Sequence, residues 1–196
     1  MIMDHERFNK RTLYAIAVSA DIKDILYCTI DKIGKEKIKM AIIAKIERSQ
    51  EFCNEILDVC KLKIGCDLDD ETYCALCEAL LHFMLTASLL PSERKVRSKG
   101  AELDIVVPSL KMLSKSPAKA LILQIIKKDV ELAKIKQAES VQPCYENIWI
   151  VSARRLETDH KNYYIDSEPF PYCMIISDIN AFLAREGYRA LKLLHG

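Results

Sequence analysis

The pattern of hydrophobic and polar positions changes near Pro91. Before this residue, apolar side chains recur at helical spacing, and "SQEFCNEILDVCKL" places them on one face of a helix. A second helix is predicted through "ETYCALCEALLHFMLTASLL", because Asp69 or Asp70 can cap its first turn and Pro91 ends the run. The segment "KIKMAIIAKI" fits a strand about as well as a helix. We favour a helix there.

After Pro91, short apolar runs alternate with amphipathic segments. The runs "AELDIVV", "KALILQII" and "NIWIVSA" are rich in Val, Ile and Leu, which predicts buried strands. The segment "DVELAKIKQAESV" predicts a helix with Val130, Ala133 and Val141 among its apolar positions. Another helix is predicted in "MIISDINAFLARE", which Gly187 ends, and a last strand in "RALKLL".

This order of elements predicts the fold class and the division of the chain. Helices and strands in alternation indicate an α/β protein with a central mixed sheet that is flanked by helices. We expect a mainly helical N-terminal region over residues 1–66 and an α/β domain over residues 67–196.

Composition narrows the class of protein. The 196 residues are 50% hydrophobic and 29% charged, which is typical of a folded globular chain. The apolar stretch "LYAIAVSADI" is broken by Asp21 and is too short to cross a bilayer, so we expect a cytoplasmic protein without a membrane partner. With five glycines and neither "GxxxxGK" nor "GxGxxG", we do not expect nucleotide binding by a glycine-rich loop. The abundance of Ile and Lys is typical of an archaeal proteome.

Charge is distributed unevenly along the chain. The formal net charge is +1, but residues 94–128 contain nine basic and two acidic residues and carry +7. Such a segment can form a nucleic-acid surface. The alternative is that lysines at strand ends and hairpin tips prevent edge pairing. The candidate nucleic-acid-binding residues are Arg94, Lys95, Arg97, Lys99, Lys111, Lys115, Lys119 and Lys128.

Eight cysteines without a secretory segment argue for free thiols or a metal site rather than disulfides. The five that fall close together are Cys53, Cys60, Cys66, Cys74 and Cys77. "CALC" has the spacing of zinc and iron-sulfur ligands, but both thiols lie inside a predicted helix and no second such pair follows. His82 lies in the same apolar run. We therefore interpret these cysteines as core residues and expect no zinc or iron-sulfur centre.

Two further groups of residues have alternative interpretations. Tyr145 and Trp149 could stack on bases, although a tryptophan at the start of a buried strand is typical of a core. The segment "ARRLETDHKNYY" is predicted to be a loop after a strand, where α/β proteins often bind ligands, or simply a solvated loop. Its candidate side chains are Arg154, Arg155, His160 and Lys161.

The element order over residues 70–155 resembles that of the PD-(D/E)xK nucleases, which include archaeal Holliday-junction resolvases. The shared features are a leading helix, a hairpin that carries an aspartate, a strand that ends in lysine, then a helix and a strand. The resemblance implies a restriction-endonuclease-like core. It also implies that Asp104 of "LDIV" binds the metal, that Glu78 of the leading helix adds a carboxylate, and that Gln124 and Lys127 of "LQIIK" complete the catalytic set.

The second motif departs from the family pattern. In the family one residue separates the acid from the lysine, and side chains two apart on a strand share a face. Gln124 and Lys127 are three apart. If Lys127 is the family lysine, the carboxylate position holds Ile125; if Gln124 is the ligand, the lysine position holds Ile126. One partner is missing in either alignment.

Three functions remain open. The leading hypothesis is a nucleic-acid-binding or assembly subunit with a catalytically degenerate nuclease-like core, which would not be an enzyme and would need no cofactor. The second is an adaptor whose N-terminal helices bind a protein partner or a second copy of the chain. The third is an active nuclease, for which the cofactor would be Mg²⁺.

Overall fold

The computed structural model describes residues 22–65, 69–164 and 171–188. Its N-terminal part is helical, with α1 through residues 22–33, α2 at Lys35–Ala44, α3 at Arg48–Ile64 and α4 at Asp70–Ala87. The helix favoured for "KIKMAIIAKI" is therefore confirmed as α2. Asp69 caps α4, since its side chain accepts the Thr72 N–H at 2.9 Å.

In the described ranges, five strands form one sheet in chain order. They are β1 at Glu93–Ser98, β2 at Ala101–Val107, β3 at Leu121–Ile126, β4 at Ile148–Ser152 and β5 at Lys161–Tyr164. β1, β2 and β3 pair antiparallel, whereas β3, β4 and β5 pair parallel. The α/β class with a mixed sheet is confirmed. β2 and β3 are neighbours in a sheet that also contains β4, and the sequence predicted all three of these strands.

The edge strands β1 and β5 were not predicted. β1 has one aliphatic residue, Val96, among six, so its pattern shows no apolar alternation. It is joined to β2 through Lys99 and Gly100, which both have positive φ, at 49° and 85°. Two such residues are typical of a tight hairpin turn between twisted strands. The prediction of a loop for "ARRLETDHKNYY" is wrong for its last four residues, because residues 161–164 form β5.

Three more helices complete the described fold. They are α5 at Leu110–Lys115, which follows the cis peptide bond Val107–Pro108, α6 at Ala133–Val141 and α7 at Ile175–Arg185. The helix predicted from Asp129 begins later, because Asp129–Leu132 forms a 3₁₀ turn. Of the three apolar positions named in this helix, Val141 is buried, whereas Val130 is 81% exposed and Ala133 is also exposed. The strand predicted in "RALKLL" lies outside the described residues.

The sheet has a core on each face. Helices α1–α4 and α7 pack on one face, against Ile105, Leu123 and Val151, in what we call the first core. Helices α5 and α6 cover the other face, the second core. Residues of α1 and α2 are fully buried in the first core. The division at residue 66 stays a prediction. None of the helices in the described ranges has the length and hydrophobicity of a membrane span.

Candidate functional site

The pleat of β2 is interrupted at Asp104. Leu103 packs in the second core and Ile105 in the first, although side chains two apart on a regular strand share a face. Opposite Asp104, Lys95 of β1 has φ 49°, a region that lysine rarely adopts. The β1–β2 pairing keeps one register on both sides of this position. Such strained residues persist where the surrounding structure holds them, and they are common at functional sites.

β2 and β3 separate just beyond this interruption. Their backbone pairing covers residues 105–107 of β2. Beyond it, the buried side chain of Gln124 joins the strands: its Oε1 accepts the Asp104 N–H at 3.1 Å, and its Nε2 donates to the Glu102 carbonyl at 3.0 Å. The Asp104 carboxylate accepts the Ile125 N–H at 2.9 Å. Gln124 therefore replaces ladder hydrogen bonds, and its oxygen is engaged by the backbone.

Around Asp104, three carboxylates and three ammonium groups form a chain of five ion pairs that one backbone hydrogen bond closes, which we call the ion-pair ring. Its members are Glu78, Lys95, Asp104, Lys134, Glu131 and Lys127. Lys95 Nζ lies 3.0 Å from Glu78 Oε1 and 2.5 Å from Asp104 Oδ1, so one ammonium bridges two carboxylates of different elements.

The remaining contacts complete the ion-pair ring. Lys127 Nζ lies 2.6 Å from the other oxygen of Glu78. Lys134 Nζ lies 3.3 Å from Asp104 and 3.2 Å from Glu131. Glu131 closes the ring by accepting the Lys127 backbone N–H at 2.6 Å. Residues of α4, β1, β2, the end of β3 and α6 are thereby held together by charge.

The ring shifts the pKa of two of its members. Burial alone would raise the pKa of Glu78, but hydrogen bonds from Lys127 and Lys95 outweigh it and lower this pKa to about 2. Burial would lower the pKa of Lys95, but hydrogen bonds to Asp104 and Glu78 raise it above its usual value. Glu78 and Lys95 are therefore both charged at neutral pH.

The position of the Lys95 ammonium bears on metal binding. A divalent cation at a nuclease site is held by carboxylate oxygens, and here the space between Glu78 and Asp104 contains the ammonium. Ile125, at one candidate carboxylate position, packs its side chain in the first core and contributes only backbone groups, its N–H to Asp104 and its carbonyl to the Lys134 ammonium. Among the residues that the structure describes, no group of three or more His, Cys, Asp or Glu side chains could hold a metal ion. With Lys95 in place, the residues do not fit Mg²⁺.

The structure brings together Glu78, Asp104 and Lys127, all of which the sequence singled out. Three ring members were missed in this role: Lys95 was considered only for nucleic-acid binding, and Glu131 and Lys134 not at all. The spacing of Glu131 and Lys134 is a helical i, i+3 pair, which was a signal for their mutual contact. Nothing in the spacing indicates the long-range contact of Lys134 with Asp104.

Two clefts lie on either side of residues 127–131. A cleft of about 470 Å³ opens beside the ring and is lined by Lys95, Asp104 and Lys134 among others. A second, of about 390 Å³, lies where β3 and β4 end and α4 begins. Two basic side chains of the second cleft form ion pairs with carboxylates in the first turn of α4. Lys128 lies 2.7 Å from Glu71, and Arg154 lies 3.5 Å from Asp70.

Apart from Lys95, which belongs to the ion-pair ring, the predicted basic set divides into two groups. Arg94, Arg97 and Lys128 bond to neighbouring groups: Arg94 to the His82 carbonyl, Arg97 to Glu102 and Lys128 to Glu71. The four that are exposed and have no ion pair in the described part of the chain are Lys99, Lys111, Lys115 and Lys119. Lys111, Lys115 and Lys119 lie between β2 and β3, whereas Lys127 and Lys128 follow β3. A strand of six residues separates them by about 20 Å. The basic segment therefore does not form one surface.

The cysteine cluster lies in the core. Cys53, Cys60, Cys74 and Cys77 are buried, and Cys66 lies outside the described residues. Burial raises the pKa of the Cys74 thiol to about 12 and that of Cys77 well above its usual value. Both thiols are therefore protonated at neutral pH, which disfavours metal ligation by thiolate.

Comparisons with known proteins concern the fold. No family model matches this chain, and no curated protein matches it. Among solved structures, the chain is similar to restriction endonuclease PspGI in complex with its substrate DNA, with a TM-score of 0.50 and 13% sequence identity. The match covers 84% of this chain and 93% of that chain. At this identity the likeness concerns the fold alone. The chain has a restriction-endonuclease-like α/β fold, as the element order implied.

Proposed function

We propose that this protein is a nucleic-acid-binding or assembly subunit whose nuclease-like core does not catalyse cleavage. The observation that carries this proposal is the Lys95 ammonium, which bridges Glu78 and Asp104 at 3.0 and 2.5 Å. An ammonium bridges two carboxylates as a metal would, but it carries one positive charge and cannot coordinate a water molecule or lower its pKa. Glu78 and Asp104 then form ion pairs with lysines instead of binding a catalytic metal ion.

Two features support nucleic acid as the partner. A solved structure with a similar fold is a complex with DNA. In addition, Lys111, Lys115 and Lys119 are exposed, and no ion pair within the described ranges involves them. Cations that are free of protein partners can bind phosphates and release counterions, which gives affinity without sequence preference.

The decisive experiment compares the wild-type protein with Lys95→Met by calorimetric titration with Mn²⁺. The substitution removes a positive charge from between two carboxylates, so we expect Mn²⁺ affinity to rise about tenfold or more. Lys37→Met, at an exposed lysine of α2, is the matched control and should change nothing. Equal Mn²⁺ affinity in the wild type and Lys95→Met would contradict the role given to Lys95.

Cleavage assays test the third hypothesis directly. We expect no cleavage of duplex, single-stranded or branched DNA by the wild-type protein with Mg²⁺ or Mn²⁺. Efficient cleavage that Asp104→Ala abolishes would instead make the protein an active nuclease. Asp104→Ala should leave nucleic-acid binding unchanged or strengthen it, because the substitution removes a carboxylate that repels phosphate.

The adaptor hypothesis has its own support in the helical part. Tyr27 of α1, Met40 of α2 and Leu62 of α3 are 42%, 49% and 85% exposed. Apolar side chains of this kind can contribute to a protein interface. Wild-type protein that shows no salt-sensitive binding to any nucleic acid would favour this alternative.

A further inference from the structure

Tyr145 presents a fixed aromatic ring at the surface. The residue is 52% exposed. Its ring stacks on that of His160, with ring centroids 4.5 Å apart and planes inclined by 20°. The hydroxyl donates to Glu139 Oε1 at 2.6 Å. The ring is thus held by its edge and by one face, while about half of the residue stays open to solvent.

The support beneath the ring is itself held in place. His160 is 6% exposed, and its ring nitrogens lie 2.9 Å from Glu139 Oε1 and 3.2 Å from the Tyr145 carbonyl. Residues 153–160 run back from the end of β4 to the level of its start, where β5 begins beside Trp149. This return brings His160 under Tyr145. The platform therefore loses little conformational freedom when a ligand stacks on it.

Tyr145 lies at the same end of the sheet as Lys111, Lys115 and Lys119. The turn Tyr145–Asn147 is tied to the turn Pro117–Lys119, since Asn147 Nδ2 donates to the Ala118 carbonyl at 2.9 Å. Gln142 adds bonds to the Pro117 and Ala120 carbonyls at 3.1 and 2.8 Å. We call Lys111, Lys115 and Lys119 the lysine patch; the first two are four apart on α5 and share a helix face.

Acidic groups near the ring restrict what can bind there. The Glu139 carboxylate is engaged by His160 and the Tyr145 hydroxyl. Glu146 and Asp159 are exposed, and Asp159 lies close enough to contribute to raising the pKa of Tyr145, after the larger effects of Glu139 and burial. These carboxylates repel phosphate from the immediate surroundings of the ring, but not a neutral base. Phosphates are attracted to the lysine patch instead.

We propose that Tyr145, backed by His160, is a stacking platform for an unpaired base of a single-stranded nucleic acid whose phosphates are bound by the lysine patch. This inference names the ligand class and the surface for the proposed nucleic-acid binding, and it rests on that function. An unpaired base offers its π-face to an aromatic side chain, whereas bases within a duplex are stacked on each other. The surface lies at the opposite end of β3 from Lys127 of the ion-pair ring.

The first test measures fluorescence anisotropy of a labelled oligothymidine and of a duplex of equal length. Tyr145→Ala should weaken single-strand binding about 5- to 150-fold, whereas Tyr145→Phe, which keeps the ring, should stay within about threefold of the wild type. Duplex affinity should change little in Tyr145→Ala. Tyr27→Ala, at a tyrosine of α1 that is 42% exposed, is the matched control.

The lysine patch is tested by salt titration of the same oligothymidine. Replacing Lys111, Lys115 and Lys119 together by Ala should flatten the dependence of log affinity on log salt by up to about three contacts, at about 0.7 each on a single strand. Replacing the exposed Lys23, Lys32 and Lys37 on α1 and α2 removes the same charge elsewhere and should leave this slope unchanged.

A photocrosslink made with the wild-type protein does not depend on how the variants fold. Oligothymidine in which 5-iodouracil replaces one base should crosslink at Tyr145, as mapped by mass spectrometry. Crosslinks confined to other residues, or wild-type affinity in Tyr145→Ala, would overturn the stacking platform. If the wild-type protein still showed salt-sensitive nucleic-acid binding, the proposed function would stand. Absence of nucleic-acid binding by the wild-type protein would overturn both.

Discussion

At the scale of single residues, Glu78 shows how the ion-pair ring makes stability depend on pH. Its pKa is lowered to about 2 from an unfolded value of 4.5. Because the folded pKa is depressed, ionised Glu78 stabilises the fold fully above pH 4.5, and this stabilisation is lost as the pH falls towards 2. A shift of this size corresponds to about 3 kcal/mol.

We therefore expect Glu78→Gln to lower the free energy of unfolding by about 3 kcal/mol at pH 7 and by much less near pH 2. Urea unfolding at pH 7, 5, 3 and 2 measures this. Glu55→Gln, at an exposed glutamate of α3, should be nearly neutral throughout. A loss in Glu78→Gln that is the same at every pH would show that packing, not charge, is responsible.

The sequence could identify Glu78, Asp104 and Lys127 because they occupy positions in a known order of elements. It could not identify Lys95 as their partner, since that contact depends on a left-handed backbone at one residue and on the separation of two strands. Neither property is visible in residue types. Gln124 illustrates the same limit, because a glutamine that bonds to the backbone looks the same in sequence as one that binds a metal.

At the scale of elements, predictability followed burial. β2, β3 and β4 are almost fully buried, and their continuous apolar runs identified them. β1 and β5 lie at the sheet edges and carry mixed polar residues, so their patterns resemble loops. The start of α6 was misplaced because Asp129–Leu132 forms a 3₁₀ turn that continues the helical pattern without burying Val130.

The junction of β2 and β3 gives a prediction at this scale. Gln124→Leu leaves the Asp104 N–H and the Glu102 carbonyl without their side-chain partner, so we expect a loss of about 1–3 kcal/mol. Hydrogen exchange at the Asp104 amide should accelerate accordingly. Gln50→Leu, at a glutamine of α3 whose side chain has no hydrogen bond among the described residues, should cost less than about 0.5 kcal/mol. Unchanged exchange at Asp104 in Gln124→Leu would show that β2 and β3 do not need this link.

At the scale of the whole molecule, the N-terminal helices and the sheet share the first core. Ile38 of α2 is fully buried in this core. Trp149 on β4, the single tryptophan of the chain, is also buried there. Trp149 fluorescence therefore reports on the sheet, whereas far-UV circular dichroism is dominated by the helices. The two signals together tell whether the molecule unfolds as one unit.

We expect Ile38→Ala to lower stability by about 2–5 kcal/mol and to shift both unfolding transitions to the same midpoint. Met40→Ala, at a residue of the same helix that is 49% exposed, should have little effect on either signal. A separate, earlier loss of helix with Trp149 unaffected would mean that the N-terminal helices fold independently of the sheet.

The ammonium of Lys95 can also be described as a built-in competitor. It is attached to the chain that carries Glu78 and Asp104, so its effective concentration at the two carboxylates is set by geometry and does not fall on dilution. A divalent cation, by contrast, competes only through its own free concentration. The fraction of Glu78–Asp104 sites that bind metal would then depend on the free metal concentration and not on the concentration of the protein. A substitution such as Lys95→Met would lower the free metal concentration at which half of the sites bind metal.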